Sequence, residues 1–125
     1  MSFDWWQYLN VAKQLAGITT TTANQEAKFR AAISRAYYAA FLKARNHLRD
    51  REGYSIPRTS DAHKYVSDQF NLSSEPLRQL VAEKLVKLRL YRRQADYVDT
   101  FPGLSGITQT VLELTEEVIL TLNNL

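Results

Sequence analysis

The chain has 125 residues, 45% hydrophobic and 23% charged, with three prolines and four glycines, a balance that excludes a disordered or low-complexity segment. Its length suffices for one core, and one domain spanning residues 1–125 is expected. No apolar run approaches the roughly 18 residues a membrane-spanning helix needs, and the absence of cysteine excludes disulfides and thiolate chemistry. The net charge of +3 is unevenly placed. All 16 Lys and Arg residues lie at or before Arg93 with eight of the 13 acids, a net +8, whereas the remainder carries five acids and no base. A basic face of this kind can contact phosphates; solvated outer faces of helices explain it equally well.

The opening MSFDWWQYLN lacks a basic region followed by an apolar core, so no signal peptide is expected and a cytoplasmic location is the default. A first helix is expected from about Phe3 to Ala16, with Ser2 as N-cap and Gly17 as its stop. Trp5, Tyr8, Leu9, Ala12 and Ala16 would share its inner side, with Trp6 at the edge of the bundle or on a second surface. Thr19 to Thr22 reads as a linker, and Thr22 with Gln25 has the spacing of a capping box. The helix that follows is expected to last to about Glu52, with Phe29, Ile33, Ala36 or Tyr37, Ala40, Ala44 and Leu48 as its inner stripe. Alanines at 32, 36, 40 and 44 allow another helix to approach closely. Opposite them runs a half-aromatic, half-basic stripe of Arg35, Tyr38, Leu42, Arg45 and Arg49.

Gly53 to Pro57 forms a loop, and a short third helix is expected from about Ser60 to Phe70, with His63 in its first turn. Ser74 and Pro76 open a long fourth helix that ends near Thr100, before Pro102 and Gly103. Leu104, Ile107, Val111, Leu114, Val118, Leu122 and Leu125 recur at intervals of three and four, the period of an amphipathic fifth helix. The expected fold is an all-α, up-and-down antiparallel bundle of about five helices.

The fourth helix contains one conflict. Its apolar stripe runs Leu77, Val81, Leu85, Leu88, and at about 100° per residue its next members are Arg92 and then Ala95 with Asp96. Charges at buried positions are costly unless paired or used. Arg92 and Asp96 can bridge across one helix turn, either as a structural ion pair or as the mount of a guanidinium that binds phosphate. Tyr97 lies about 140° around the helix from Arg92, so the two converge only if the helix loosens or a dimer mate supplies one. Arg93 points away from the stripe. Tyr38 beside Arg35 has the chemistry to stack bases and hold phosphate, and equally that of an ordinary helix interface. Neither His47 nor His63 has a partner at metal-ligand spacing, no glycine-rich phosphate loop exists, and neither metal nor cofactor is expected.

These residues carry a family resemblance. WWQYLNVAKQLA, EAKFRAAISRAYYAAFLKAR and LVKLRLYRRQADY together resemble the HEPN superfamily (higher eukaryotes and prokaryotes nucleotide-binding), in particular its small free-standing prokaryotic members. AISRAYYAAF followed some fifty residues later by R-x-x-ADY is the specific part. The resemblance implies a helical bundle that commonly forms homodimers. It also implies a metal-independent ribonuclease, often a toxin whose antitoxin is a nucleotidyltransferase-type protein. In such proteins an arginine is followed four to six residues later by a histidine. Arg92 matches the arginine, but Asp96, Tyr97 and Val98 fill the window where histidine is expected. The resemblance thus carries over Arg92 first, then Asp96 and Tyr97, as catalytic candidates, with Arg35, Tyr38 and Arg93 toward RNA. Two alternatives remain: a catalytically inactive interaction module, and an accessory nucleotide-binding subunit.

Overall fold

In the computed structural model, which describes residues 3–19 and 23–125, the chain forms five helices: α1 (Trp6–Leu15), α2 (Gln25–Asn46), α3 (Asp61–Asn71), α4 (Pro76–Tyr97) and α5 (Leu104–Asn123). No strand occurs among the described residues. The architecture is the expected all-α bundle. The helix α2 lies at its centre, packed along α4 and α5, while α3 leans on α4 and α1 covers the start of α2.

The alanine spacing explains that central place. Ala36, Ala40 and Ala44 are buried with Ile33, Tyr37 and Leu48, so α4 and α5 approach α2 without large side chains between the backbones. The main core adds Val66 and Phe70 from α3, Val81, Leu85 and Leu88 from α4, and Val111, Val118 and Leu122 from α5. Ile107, Leu114 and Leu125 are partly buried against it, as their spacing predicts. A smaller cluster of Phe3, Val11, Ala23 and Ala27 seats α1.

Several boundaries differ from expectation. Ser2 and Thr22 lie outside the described residues; α2 is started instead by Asn24, whose side chain accepts a hydrogen bond from the Ala27 N–H at 2.8 Å. On α1 the buried position is Val11, with Trp5 and Tyr8 half-buried, whereas Leu9, Ala12 and Ala16 face solvent. The inner side of α1 is therefore rotated: it packs mainly on α2, with Tyr8 reaching Asp96 of α4. Trp6 is 63% exposed. Leu77 is 50% exposed, so the buried stripe of α4 begins at Val81. The end of α2 runs on into a single π-helical turn, His47–Arg51.

The end of α4 is the most heavily built part of the fold. The helix stops at Tyr97 rather than near Thr100, and Val98 turns extended at φ −100°, ψ 125°. The last carbonyls of a helix have no partner within it. Here Arg30 of α2, with 0% exposure, supplies the partners. Its Nη1 donates to the Ala95 carbonyl at 2.9 Å and the Val98 carbonyl at 2.7 Å, with a longer contact to Gln94 at 3.4 Å. Its Nη2 donates to the Asp99 carbonyl at 3.2 Å, and its Nε to Glu26 at 3.2 Å. The rings of Phe3 and Trp5 cover the guanidinium at 4.4 and 5.0 Å. A positive charge at the negative end of a helix dipole is favourable, and every N–H that meets a carbonyl removes a buried orphan. Gly103 then takes the left-handed conformation, φ 68°, and starts α5.

A second tie closes the opposite end. Glu52 receives Arg78 through two bonds of 2.7 and 3.0 Å and contacts His47 Nε2 at 2.7 Å. This joins the π turn to the first turns of α4.

Two outcomes are expected. Arg30→Met takes the donor from the Ala95 and Val98 carbonyls, while Asp99 keeps the Phe3 N–H at 2.7 Å, and is expected to cost about 3 kcal/mol in urea unfolding, far more than an exposed substitution such as Lys64→Met. The Glu52 carboxyl titrates below its ordinary value; burial alone would raise it, and Arg78 and then His47 outweigh that burial. The unfolded chain takes up its proton first, so the contribution is complete above about pH 4.5 and is lost as pH falls through the lower folded value. Urea midpoints of the wild type are expected to drop between pH 5 and 3 more steeply than those of Glu52→Gln.

Candidate functional site at the end of α4

Arg92 sits one turn before the end that Arg30 holds, on the inner face of α4 after Leu85 and Leu88. The periodicity therefore buries it, and it is 7% exposed. Its guanidinium carbon lies 5.3 Å from the ring centroid of Tyr38, 5.5 Å from Tyr37 and 5.8 Å from Tyr97. Ring faces attract a cation without consuming its N–H donors. Nη1 stands 3.5 Å from Asp96 Oδ2, long for a charge-assisted hydrogen bond. Nε is buried and has no hydrogen-bond partner.

Asp96 is satisfied from elsewhere. Oδ1 accepts from the Tyr8 hydroxyl at 2.8 Å, and Oδ2 from the Ser34 hydroxyl at 3.0 Å. One carboxylate thereby joins α1, α2 and α4. The Tyr8 phenol is held protonated far above its ordinary range, first by burial and then by the carboxylate it donates to. The Arg92–Asp96 contact is thus loose: the acid is already supplied by neutral donors, and the guanidinium retains unspent ones. That arrangement is a poor ion pair and a good anion receptor.

The convergence of Tyr97 and Arg92 corrects the sequence expectation. One chain brings them together with α4 intact up to Tyr97, and neither a loosened helix nor a second copy is needed. Long side chains on a helix lean toward its N-terminus, and the ring spans the remaining angle. Tyr97 is 71% exposed, so it lies over the guanidinium from the solvent side. Arg35 and Tyr38 line a groove of ≈ 560 Å³ between α1 and α2, together with Tyr8, Ser34 and Asp96. Arg93 is exposed and lines neither this groove nor its neighbours.

Sequence spacing missed three participants. Tyr8 and Ser34 reach Asp96 from other helices, and no local pattern announces either. The third is His63 of α3, whose Nδ1 is 2.6 Å from the Tyr37 hydroxyl and whose ring stacks on Phe41 at 4.5 Å. Tyr37 therefore bridges His63 and Arg92, one through its hydroxyl and the other through its ring. Burial first, then the charges of Arg89 and Arg92, hold His63 below its ordinary value, so it is neutral near pH 7. Burial likewise raises the Tyr37 phenol, which keeps it a donor. The imidazole is also the sole histidine beside this site, since His47 is committed to Glu52. Among the described residues no group of three or more His, Asp or Glu could hold a metal ion, and no helix is long and apolar enough to cross a membrane.

The fold agrees with the family that the chain resembles. A HEPN domain model matches residues 21–125, and the chain belongs to the HEPN family. It is similar to an uncharacterized protein of Methanocaldococcus jannaschii, 29% identical over an alignment of 134 positions, gaps included, that covers 95% of this chain and 74% of that protein. No solved structure gives a significant match.

Two measurements check the geometry. Because Asp96 keeps Tyr8 and Ser34, Arg92→Ala is expected to cost only about 1–2 kcal/mol from lost packing and cation–π contact. A loss of about 3 kcal/mol or more would mark Arg92 and Asp96 as a tight structural pair. The His63 ring protons in NMR should titrate with a midpoint below 6.5, and Arg89→Gln should move that midpoint upward. Stability linked to His63 is present above the unfolded value and is lost as pH falls through the lower folded one.

Proposed function

We propose that this HEPN protein acts on RNA at the end of α4, with Arg92 holding the phosphate. The observation that supports it is the buried guanidinium with a free Nε and only a long contact to its acid. Such a group offers a bidentate fork to a phosphate at little desolvation cost, since its donors are already out of water. Metal-independent RNA cleavage needs charge stabilisation at phosphorus, an acceptor for the 2′-hydroxyl proton and a donor for the departing 5′-oxygen. Arg92 provides the first, and the 2′ proton passes to solvent water. The exposed Tyr97 phenol, over the guanidinium, is the donor candidate. Asp96 acts by holding Tyr8 and Ser34 in register and leaving Arg92 unspent. Arg35 and Tyr38, in the adjoining groove, are placed to contact the RNA beside the scissile phosphate, and Arg93 to meet its backbone at the rim.

In this reading the protein is a homodimer whose two Arg92 regions share one cleft, it works in the cytoplasm, and a nucleotidyltransferase-type antitoxin restrains it. A second reading has one observation in its favour. The Tyr8–Asp96–Ser34 web ties three helices, which is what an inactive interaction module or an accessory nucleotide-binding subunit would need of Asp96.

Incubation of mixed RNA in EDTA separates them. Wild type is expected to cleave, Arg92→Ala to lose cleavage at least 100-fold, about 2.7 kcal/mol of transition-state stabilisation, and both to melt within a few degrees of each other. No cleavage by clean wild-type protein at high concentration would retire the nuclease and favour the module.

A further inference from the structure

A second concave surface lies on the other side of Tyr38. The second half of α2, the π turn and the 54–59 loop enclose a groove of ≈ 800 Å³ whose lining includes Arg45, Arg49, Arg58, Tyr54, Tyr38 and His63. Three arginines and no acidic side chain line it. Arg58 is exposed and makes no ion pair among the described residues. Arg45 donates hydrogen bonds to the neutral Asn46, at 2.9 and 3.1 Å, with the Asp50 charge near it. Arg49 is held by Asp50 at 2.8 Å, both exposed, so an anion must compete for it. Tyr54 is 38% exposed and stands on the opposite wall from α2. A positive groove with an aromatic wall is the arrangement that binds single-stranded nucleic acid: arginines follow the backbone while rings stack bases.

The shape selects further. The volume suits about one or two nucleotides and excludes a paired helix, whose bases are already stacked and whose backbone is too wide to enter. The floor connects to the candidate site. His63 lies in the lining, with Nδ1 on the Tyr37 hydroxyl and no partner on Nε2 among the described residues. Tyr38 borders both grooves, and the rings of Tyr37 and Tyr38 rest on Arg92. The π turn carries Arg49 to the rim of this groove, and such turns concentrate at functional places in helices.

We infer that this groove is a subsite for a single-stranded RNA segment, with Arg45 and Arg58 on its phosphates and a base stacked on Tyr54, which leads the strand over Tyr38 toward Arg92. The inference rests on the RNA reading above but concerns binding, not cleavage, and different residues. It predicts that affinity and catalysis come apart by mutation.

The probe is a fluorescein-labelled 12-nucleotide oligouridine RNA, followed by anisotropy in EDTA between 50 and 200 mM salt. The double substitution Arg45→Gln with Arg58→Gln is expected to weaken binding at least tenfold and to flatten the slope of log affinity against log salt by about 1.4, roughly 0.7 for each lost contact. Tyr54→Ala should weaken binding at least fivefold with the slope unchanged, a result that a purely ionic or structural role would not give. Arg92→Gln, which loses the phosphate contact at the end of α4, should flatten the slope by about 0.7, half the change in the double variant. Arg45, Arg58 and Tyr54 lie at or near the surface, and unchanged melting of those variants confirms folding. If wild type binds while the double variant keeps the same affinity and slope, the groove is overturned and the RNA reading stands. If clean wild type does not bind at 50 mM salt, both are overturned.

Discussion

The Arg30 guanidinium is the interaction on which the rest depends. It is fully buried, has crossed from α2 to the end of α4, and spends its donors on the carbonyls of Ala95, Val98 and Asp99. An uncompensated charge there would be prohibitive; with those partners it terminates α4 at Tyr97 and sets the distance between the two helices. Arg92, Asp96 and Tyr97 all lie within the last two turns so fixed. The Phe3 and Trp5 rings over Arg30, and the Trp5 Nε1 bond to Asp99 at 2.8 Å, bring the chain before α1 to the same point. Tyr8 of α1 then reaches Asp96 from there.

Two arginines on facing helices therefore do opposite things with the same group. Arg30 spends its donors on backbone carbonyls and the Glu26 carboxylate and stays structural. Arg92 is buried against three ring faces, which stabilise a cation but accept few hydrogen bonds, and so keeps its capacity for a ligand. The difference arises from what surrounds each guanidinium and not from its depth. Asp96 contributes by being occupied: with Tyr8 and Ser34 on its oxygens it does not draw Arg92 into a tight pair. Tyr37 completes the arrangement by linking the Arg92 side to His63. The family motif has its histidine on the arginine's own helix; this chain has tyrosine in that window and an imidazole on the neighbouring α3.

Much of the fold was legible in the sequence because helical amphipathicity is a local, periodic property. The α5 stripe from Leu104 to Leu125, the alanine ladder of α2 and the misfit of Arg92 in an apolar series all follow from 3.6-residue spacing. Where tertiary packing overrides local pattern, the reading slipped. Leu77 fits the α4 stripe but is half exposed, and Leu9, Ala12 and Ala16 fit an α1 stripe yet face solvent. Arg30 lies within the stretch EAKFRAAISRAYYAAFLKAR, yet nothing there singles it out, since it differs from a surface arginine only in what lies across from it.

The sequence by itself determined the helices, the inner faces of α2 and α5, the family and the arginine worth attention, because each depends on residues close together along the chain. Only the tertiary structure decided whether Arg92 is spent or free. That answer lies in Tyr8, Ser34, Tyr37, Tyr38 and His63, brought from three other helices, and their distances to Arg92 and Asp96 are set by packing that no spacing encodes.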